Sequence, residues 1–364
     1  MRILLISYDD YKYDGRLREL IKAAKELGEV TYITRASDGE QPREKGHILC
    51  PDRGYSRFIF FVCMQAKKLG RQDLIFIDNR KGILPGYLAR KLSGADYVVQ
   101  DCRELYDMKS AAGIPGRIGC IIEQIFTKRS DVVIAANAYR ARIMTKMFRL
   151  KREPLKYENI RRLEYASDEK RRQVEAECRT FFEEPKFRIV STAGCDMSRT
   201  TGKMLEAMKG LGEDYELLLI GESEEEDERI VRETIRRLGL TNVKILPRMD
   251  QDHLKYFIQN SQAGMVAYHQ RDLNNRYCAS GKIFEFLFEG KPVVTSTNPP
   301  LKDFCEKYKA GQASDDYEQA VRELAGQYEQ WQKHVERLIS RIHVEQNNKK
   351  LADQIRNLLE ELKR

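Results

Sequence analysis

The chain has 364 residues, of which 41% are hydrophobic and 33% charged, and a formal net charge of +8 at pH 7. This length and composition predict globular material with room for two packed domains. The longest apolar burst is 58–64, far short of the roughly eighteen residues that a membrane-spanning helix needs. The start, "MRILLISYDD", leads into acidic residues rather than a small-residue cleavage site, so we expect no secretory signal and a cytoplasmic protein.

Short β-rich runs alternate with amphipathic stretches in the first half of the chain. The strand candidates are "RILLIS", "EVTYIT", "LIFIDN", "YVVQDC" and "DVVIAAN". Helices are predicted over 15–27, 82–92 and 118–129. Such alternation is typical of a parallel sheet with helices on both faces.

The same alternation restarts after a polar, charge-dense segment. The second set of strand candidates is "FRIVSTAG", "ELLLIG", "VKILP", "AGMVAYH" and "KPVVTS", with helices over 203–211 and 226–238. After residue 315 only helices are indicated.

The pattern predicts two doubly wound α/β domains, 1–160 and 186–344. A linker and helix at 161–185 join them, and a terminal helix at about 345–364 can pack back on the first domain. Open α/β sheets bind ligands outside the carboxyl ends of their strands, so we expect a cleft between facing strand ends.

Glycine-rich cofactor motifs are missing from the expected turns. The first strand is followed by "SYDDYKYDGRLREL", in which Gly15 is the one glycine. This disfavours a nicotinamide or flavin dehydrogenase, and no P-loop is present either. The eight cysteines are single and the histidines lack zinc-ligand spacing, so we expect reduced thiols and no metal site.

Small residues at 278–281 precede a predicted helix that begins near Ser280 and ends at Gly290. Free N–H groups at a helix start, next to small side chains, let a diphosphate approach the backbone. Lys282 would add a positive charge, and Glu285, one turn later, is placed to accept hydrogen bonds from ribose hydroxyls. A capped helix that only packs against the sheet is the alternative.

The block "GKIFEFLFEGKPVVTS" resembles the C-terminal signature of family 4 of the glycosyltransferases, retaining enzymes of the GT-B fold with two Rossmann-like domains. The resemblance implies that Glu285 binds the donor ribose. It also implies that the preceding loop, Ala279, Ser280 and Gly281, holds the diphosphate and the sugar. Many members carry a second Glu eight residues earlier, where this chain has Tyr277.

Other segments of the second domain extend the resemblance. "STAGCDMSRTTGKMLEAM" is similar to the family's glycine turn and helix, which puts Arg199 at a phosphate-binding position. The arginine usual directly after that glycine is Cys195 here. Two strand-loop pairs resemble the nucleotide-facing ones and imply that Gly221 and Arg248 lie near the base.

The first domain shares two segments with the family. "YDGRLRELIKAAKELG" resembles the opening loop that closes over donor and acceptor, which implies this role for Gly15 and Arg16. "DCRELYD" resembles a segment that reads Asp-x-His-Glu-Leu, with Arg103 in the histidine position. Arginine still donates hydrogen bonds but brings a fixed charge, which favours a carboxylated sugar or acceptor as a hypothesis.

The resemblance covers nearly the whole chain and implies a retaining, metal-independent hexosyltransferase. Its donor would be a UDP- or GDP-linked sugar, and its acceptor a hydroxyl of a glycan or lipid-linked molecule in cell-surface polysaccharide or glycoconjugate synthesis. Arg199, Lys282, Glu285 and Arg103 form the implied catalytic set. Fixed cations and N–H groups would stabilise the leaving diphosphate, and no cofactor is expected.

Two alternatives stay open. A catalytically silent GT-B scaffold is favoured by the departures at Tyr277, Cys195 and Arg103, and a sugar-nucleotide epimerase of the same fold would need acid/base groups in the cleft. Structural roles also remain for Arg16, as a helix-face charge, and for Arg248, as a loop cap.

The positive charge lies in the first half of the chain. Residues 1–185 hold 36 Lys and Arg against 27 Asp and Glu, a net +9, which leaves −1 for the remainder. Together with the apolar segments 54–71 and 139–153, this indicates an anionic membrane surface as a partner and a peripheral position at the inner face of the membrane. A solvated charged face is the alternative for the charge, and core packing explains the apolar segments equally well. Nucleic acid is disfavoured because no binding motif is evident.

Overall fold

A computed structural model describes residues 1–12, 14–36, 41–51 and 54–363. The chain forms two units, one comprising Met1–Arg161 with Val344–Arg364 and the other Arg162–His343. Each unit is built on one parallel sheet, of seven and six strands respectively. This confirms the prediction of two doubly wound α/β domains.

The sheet of the first unit has the strand order β3-β2-β1-β4-β5-β6-β7. Its strands are β1 (Arg2–Asp10), β2 (Glu29–Arg35), β3 (His47–Cys50), β4 (Leu74–Asp78), β5 (Tyr97–Cys102), β6 (Val132–Ala135) and β7 (Leu155–Lys156). The helices between them are α1 (Gly15–Lys25), α2 (Tyr55–Leu69), α3 (Ile83–Ser93), α4 (Gly113–Thr127) and α5 (Ala138–Met147).

Burial on both faces of this sheet explains why its central strands are continuous apolar runs. All five residues of β4 are buried, and residues 3–6 of β1 are fully enclosed. Strands buried on both faces read as unbroken hydrophobic segments. The chain moves outward from β1 to β3 and then returns to β4 on the other side of β1, so the crevice of the sheet lies at the carboxyl ends of β1 and β4.

The sheet of the second unit has the strand order β10-β9-β8-β11-β12-β13. Its strands are β8 (Phe187–Ser191), β9 (Tyr215–Ile220), β10 (Val243–Leu246), β11 (Ala263–Val266), β12 (Val293–Thr295) and β13 (Gly311–Ala313). Its helices are α6 (Asp168–Cys178), α7 (Thr201–Leu211), α8 (Glu225–Leu238), α9 (Gln251–Gln259), α10 (Leu273–Arg276), α11 (Lys282–Leu287), α12 (Pro299–Tyr308), α13 (Tyr317–Gly326) and α14 (Tyr328–Ile339). The strand order reverses between β8 and β11, which places the crevice of this sheet at their carboxyl ends.

The last helix, α15 (Val344–Lys363), belongs to the first unit. Its apolar side chains, among them Leu351 and Ile355, join those of α1 in one core cluster. Asn348 Nδ2 donates to Glu19 Oε2 at 2.7 Å and Asn348 Oδ1 accepts from the Tyr157 hydroxyl at 2.6 Å. Both the nitrogen and the oxygen of this buried amide therefore have a hydrogen-bond partner. Arg364 lies outside the described residues.

The elements missed by sequence reasoning are short or apolar on two faces. Strands β3, β7 and β13 have four, two and three residues and lie at sheet edges, where periodicity has little room to develop. Helix α4 begins at Gly113, five residues before the predicted start, because Pro115 is tolerated in a first helical turn. Among the described residues, no helix combines the length and apolarity needed to cross a bilayer.

Candidate active site

Two glycine turns meet at the carboxyl ends of β8 and β9. Gly194 has φ +59° and Gly221 φ +151°, backbone conformations that favour glycine. A Cβ added to Gly221 would lie 2.8 Å from the backbone nitrogen of Gly194, so both turns need the absence of a side chain. The N–H of Cys195 donates to Ser223 Oγ at 2.8 Å and locks the two loops together.

The side chain of Cys195 is enclosed by the protein. It is fully buried in the core cluster of the second unit, beside residues such as Met204 and Leu205. Burial raises the pKa of its thiol, so the group is neutral. This position, which the family resemblance gives to a phosphate-binding arginine, therefore supplies an apolar contact and no cation.

Arg199 lies in a short 3₁₀ turn that follows this loop. Its Nε donates to Asp196 Oδ2 at 3.2 Å, and its guanidinium lies 4.0 Å from the centre of the Tyr268 ring. The Nη1 atom is buried and has no hydrogen-bond partner among the described residues. A buried guanidinium nitrogen without an acceptor is costly, so this geometry favours an anionic ligand.

The small-residue loop adds further unpaired donors. Ser280 Oγ and Thr192 Oγ1 are buried without a hydrogen-bond partner among the described residues. Within the same part of the chain, no hydrogen bond is found for the N–H groups of Ala279, Ser280 and Gly281. Lys282 Nζ donates to the carbonyl oxygen of Thr192, which brings this loop to the end of β8.

Glu285 and Lys282 lie on α11, which is only six residues long. Glu285 is 6% exposed, and its neighbours Phe284 and Phe286 are buried in the same helix. The Phe286 ring occupies the space where Gly264 of β11 lacks a side chain. Packing against β11 therefore fixes the direction in which α11 presents Lys282 and Glu285.

A buried asparagine that sequence reasoning missed holds the loop leading to this site. Asn298, fully buried, donates from Nδ2 to the carbonyl oxygens of Asn275 at 2.8 Å and His269 at 3.4 Å. Its Oδ1 accepts from Ser296 Oγ at 2.6 Å. The only sequence indication was an Asn before Pro299, which reads equally well as an ordinary helix start.

Arg248 lies after β10, beside the loop that follows Gly221. Its Nη1 is 3.2 Å from Glu222 Oε2, and the two side chains are 47% and 78% exposed. Arg248 is thus an exposed ion-pair partner at the rim of the second unit's crevice. Tyr277, the position where many family members carry a Glu, ends α10 and lies under the guanidinium of Arg276 at 5.7 Å.

In the first unit, Arg103 is surrounded by three carboxylates at the carboxyl ends of β1 and β4. It contacts Asp14 and Asp78 by hydrogen-bonded ion pairs and Asp9 Oδ2 at 3.2 Å. Its side chain is 13% exposed. Three carboxyl groups face this one guanidinium, so the cluster has no excess of positive charge with which to attract a carboxylated sugar.

The guanidinium of Arg16 forms hydrogen bonds with groups inside the first unit. It donates two parallel hydrogen bonds to Asp101, from Nε to Oδ2 at 2.8 Å and from Nη2 to Oδ1 at 2.7 Å. Its Nη1 donates to the carbonyl oxygen of Tyr157 at 3.0 Å. Both charged side chains are buried, so the pair connects α1 to β5, and the bond to Tyr157 connects α1 to the residue that follows β7. Gly15, next to it, leaves room for Arg161 Cδ, 2.9 Å from where a Cβ would stand.

The carboxyl of Asp78 is poised near neutral pH. Burial raises its pKa to about 7, although the charge of Arg103 opposes this. Asp14 behaves oppositely: burial acts to raise its pKa, but the charge and hydrogen bond of Arg103 lower it below its usual range. Ser7 Oγ donates to Asp78 Oδ2 at 2.6 Å and holds the buried carboxyl in place.

We expect the free energy of unfolding of the first unit to decrease as pH rises through about 7, because folded Asp78 holds its proton above its ordinary pKa of 3.8. The stabilisation is complete below that ordinary value. Between 3.8 and about 7 the free energy of unfolding falls by up to about 1.4 kcal/mol per pH unit. Asp78→Asn keeps the acceptor for Ser7 and should flatten this dependence. Urea unfolding of both proteins between acid and mildly alkaline pH checks it, and equal slopes would assign the titration elsewhere.

No group of three or more His, Cys, Asp or Glu side chains in the described ranges is arranged to hold a metal ion. The eight cysteines all lie in described segments and none forms a disulfide. The second unit's crevice presents the cations Arg199 and Lys282 and the hydroxyls of Thr192 and Ser280, which suit an anionic ligand.

Neither a protein-family model nor a curated protein matches this sequence. Solved structures do match over almost the full length. Sucrose-phosphate synthase from Thermosynechococcus elongatus is 16% identical, with a TM-score of 0.72 over 98% of this chain and 99% of that one. HepE of Anabaena, solved with UDP and glucose, is 15% identical, with a TM-score of 0.70 over 98% and 99%.

A UDP-N-acetylglucosamine 2-epimerase matches less well, with 12% identity and a TM-score of 0.58 over 99% of this chain and 94% of that one. At such identities the likeness establishes the fold and no activity. With its two doubly wound parallel sheets, this chain has the GT-B fold of the glycosyltransferases that it matches.

Proposed function

We propose that the protein is a glycosyltransferase that uses a nucleotide sugar. The observation that carries this proposal is the set of unpaired polar atoms at the crevice of the second sheet: Thr192 Oγ1, Arg199 Nη1 and Ser280 Oγ. Buried donors of this kind normally have a partner. A diphosphate supplies many acceptor oxygens and the negative charge that suits Arg199 and the nearby Lys282.

The reaction we propose is transfer of a hexosyl group from the diphosphate to a hydroxyl of a glycan or lipid-linked acceptor, with retention of anomeric configuration. Negative charge develops on the leaving diphosphate, and preorganised donors stabilise it without a metal. Lys282, Arg199 and the N–H groups of 279–281 take this role. Glu285 accepts hydrogen bonds from the ribose, and Gly221 with Arg248 borders the base.

A uridine nucleotide is the donor that the structural likeness favours. HepE, which shares the fold over nearly the whole chain, was solved with UDP, with UDP and glucose, and with UDP-glucose. We therefore place UDP-linked sugars before GDP-linked ones. The acceptor side is assigned to the first unit, acting in cell-surface polysaccharide or glycoconjugate synthesis at the cytoplasmic face of a membrane.

Thermal unfolding with UDP, GDP, ADP and CDP tests the donor assignment. A ligand at a hundredfold its dissociation constant stabilises the folded state by about 2.7 kcal/mol. We expect UDP to raise the melting temperature of the wild type and Glu285→Ala to lose this shift. Glu306→Ala, a change of an exposed carboxylate on α12, is the matched control and should retain it. No shift with any nucleotide would overturn the donor proposal.

A silent binding protein is the second candidate, because Cys195 is buried in the core and Arg103 is held by acids. One assay, the release of UDP from a UDP-sugar, distinguishes a transferase from a binding protein. A transferase releases UDP from its sugar donor when acceptor is present, whereas a binding protein shows the thermal shift without release. An epimerase would convert the sugar without releasing UDP.

A further inference from the structure

Exposed apolar side chains are concentrated on one side of the first unit. Of the thirteen large hydrophobic side chains that the described residues expose, nine lie on α2, α3 and α4. Elsewhere in the described chain such residues occur singly. A concentration of this kind marks an interaction surface rather than ordinary surface composition.

Helix α4 carries the clearest part of this surface. Its isoleucines at 114, 118, 121 and 125 are 75%, 51%, 46% and 44% exposed. The spacing of four, three and four residues puts them in one stripe along the helix. The buried residues of α4, Cys120, Glu123 and Thr127, lie on the opposite side. The apolar residues that α4 packs against the core of the unit, Ile122 and Phe126, lie outside this stripe. The four exposed isoleucines are therefore not used inside the unit.

Helices α2 and α3 continue the surface. All three helices pack into the same core cluster, through residues such as Phe58, Ile83 and Phe126, and α3 contacts both α2 and α4. They therefore lie side by side on one face of the sheet. The exposed large apolar residues of α2 are Tyr55, Phe60 and Met64, at 38%, 67% and 49%, and α3 adds Leu88 and Leu92.

The exposed charged side chains of these helices are all basic. Every residue of α2, α3 and α4 is described, and Glu123, 2% exposed, is the one acidic residue among them. Basic residues accompany the apolar ones: Arg57, Lys67, Lys68, Arg90, Lys91 and Arg117. On α4, Arg117 lies along the edge of the isoleucine stripe. Apolar insertion beside Lys and Arg suits a bilayer with anionic headgroups.

We propose that the outer face of α2, α3 and α4 docks onto an anionic lipid surface, with the isoleucine stripe of α4 entering the headgroup region. A second copy of the chain is a poor occupant, because two such faces would bring like charges together. The docking does not depend on transferase activity. The membrane contact is thus assigned to α4 instead of the predicted segment 139–153, because α5 in that segment exposes no large apolar side chain.

Flotation with vesicles tests this surface. The full chain is mixed with vesicles of phosphatidylcholine alone or with added phosphatidylglycerol, at low and high salt. We expect binding to the anionic vesicles at low salt, weakened by salt because exposed charges are screened. The double variant Ile118→Ser with Ile121→Ser should reduce the apparent affinity about tenfold or more. Tyr308→Ser, an exposed apolar change in the second unit, should bind as the wild type does.

Arg117→Glu provides a second variant that leaves the stripe intact and should weaken binding at low salt only. Circular dichroism and melting temperature verify that each variant is folded. Absence of binding to anionic vesicles at low salt would overturn the proposal. So would a dimer in solution that the isoleucine variant dissociates, because the face would then be a protein interface.

Discussion

Arg16→Ala should lower the free energy of unfolding of the first unit by about 3–5 kcal/mol, because it leaves a buried charge without its partner. Asp101 is 0% exposed and depends on the two parallel hydrogen bonds from Arg16. The same substitution frees the Tyr157 carbonyl oxygen, which accepts from Arg16 Nη1. Hydrogen exchange of the β1 and β5 amides, measured at increasing urea concentration, gives the loss of unfolding free energy in the first unit.

The matched control is Arg71→Ala, in the same unit. Arg71 also meets one carboxylate, that of Asp96, at 3.0 Å, but the two side chains are 62% and 49% exposed. Exposed pairs contribute about 0–1 kcal/mol, so this variant should change little. The single tryptophan, Trp331, lies in the second unit and reports its unfolding separately. A loss below about 1 kcal/mol for Arg16→Ala would contradict the role assigned to the buried pair.

The central part of the fold could be predicted from sequence because its strands are buried on both faces. The run "LIFID" of β4 is apolar enough to identify at once. Strand β7 has two residues, and its place in the sheet depends on pairing with β6, which local sequence does not contain. Edge strands are thus set by tertiary contacts rather than by their own composition.

The site was less predictable because its contacts are remote in sequence. Arg103 is held by Asp14 and Asp78, which are separated from it by 89 and 25 positions. No local pattern shows that a conspicuous arginine is already paired. Cys195 is similar: a cysteine after a glycine turn suits either a crevice or a core, and only packing places it in the core.

The α4 stripe shows a third limit. In the sequence the stripe fits a buried helix face as well as an exposed one, because Ile122 and Phe126 of the same helix do pack against the core. Sequence reasoning proposed a membrane surface for the segments 54–71 and 139–153 and left core packing as the alternative. Exposure is defined only by the folded chain: α2, in the first segment, exposes large apolar side chains, whereas α5, in the second, exposes none.

Lys282→Met should weaken binding of UDP about 10- to 100-fold and leave binding of uridine unchanged. A hydrogen bond to a charged group contributes about 1.5–3 kcal/mol, and uridine lacks the phosphates that would receive it. The Thr192 carbonyl is an uncharged acceptor, so its hydrogen bond from Lys282 does not neutralise the ammonium, which has further N–H groups to donate. Isothermal titration with both ligands gives the two affinities.

The comparison between the two ligands separates charge from loop position. Lys302→Met, an exposed lysine on α12, is the control and should alter neither affinity. An equal loss for UDP and uridine would mean that Lys282 acts by holding the 279–281 loop against β8. Unchanged UDP affinity would place the diphosphate away from Lys282. A loss confined to UDP assigns the cation, the unpaired Ser280 hydroxyl and the N–H groups beside it to one phosphate site.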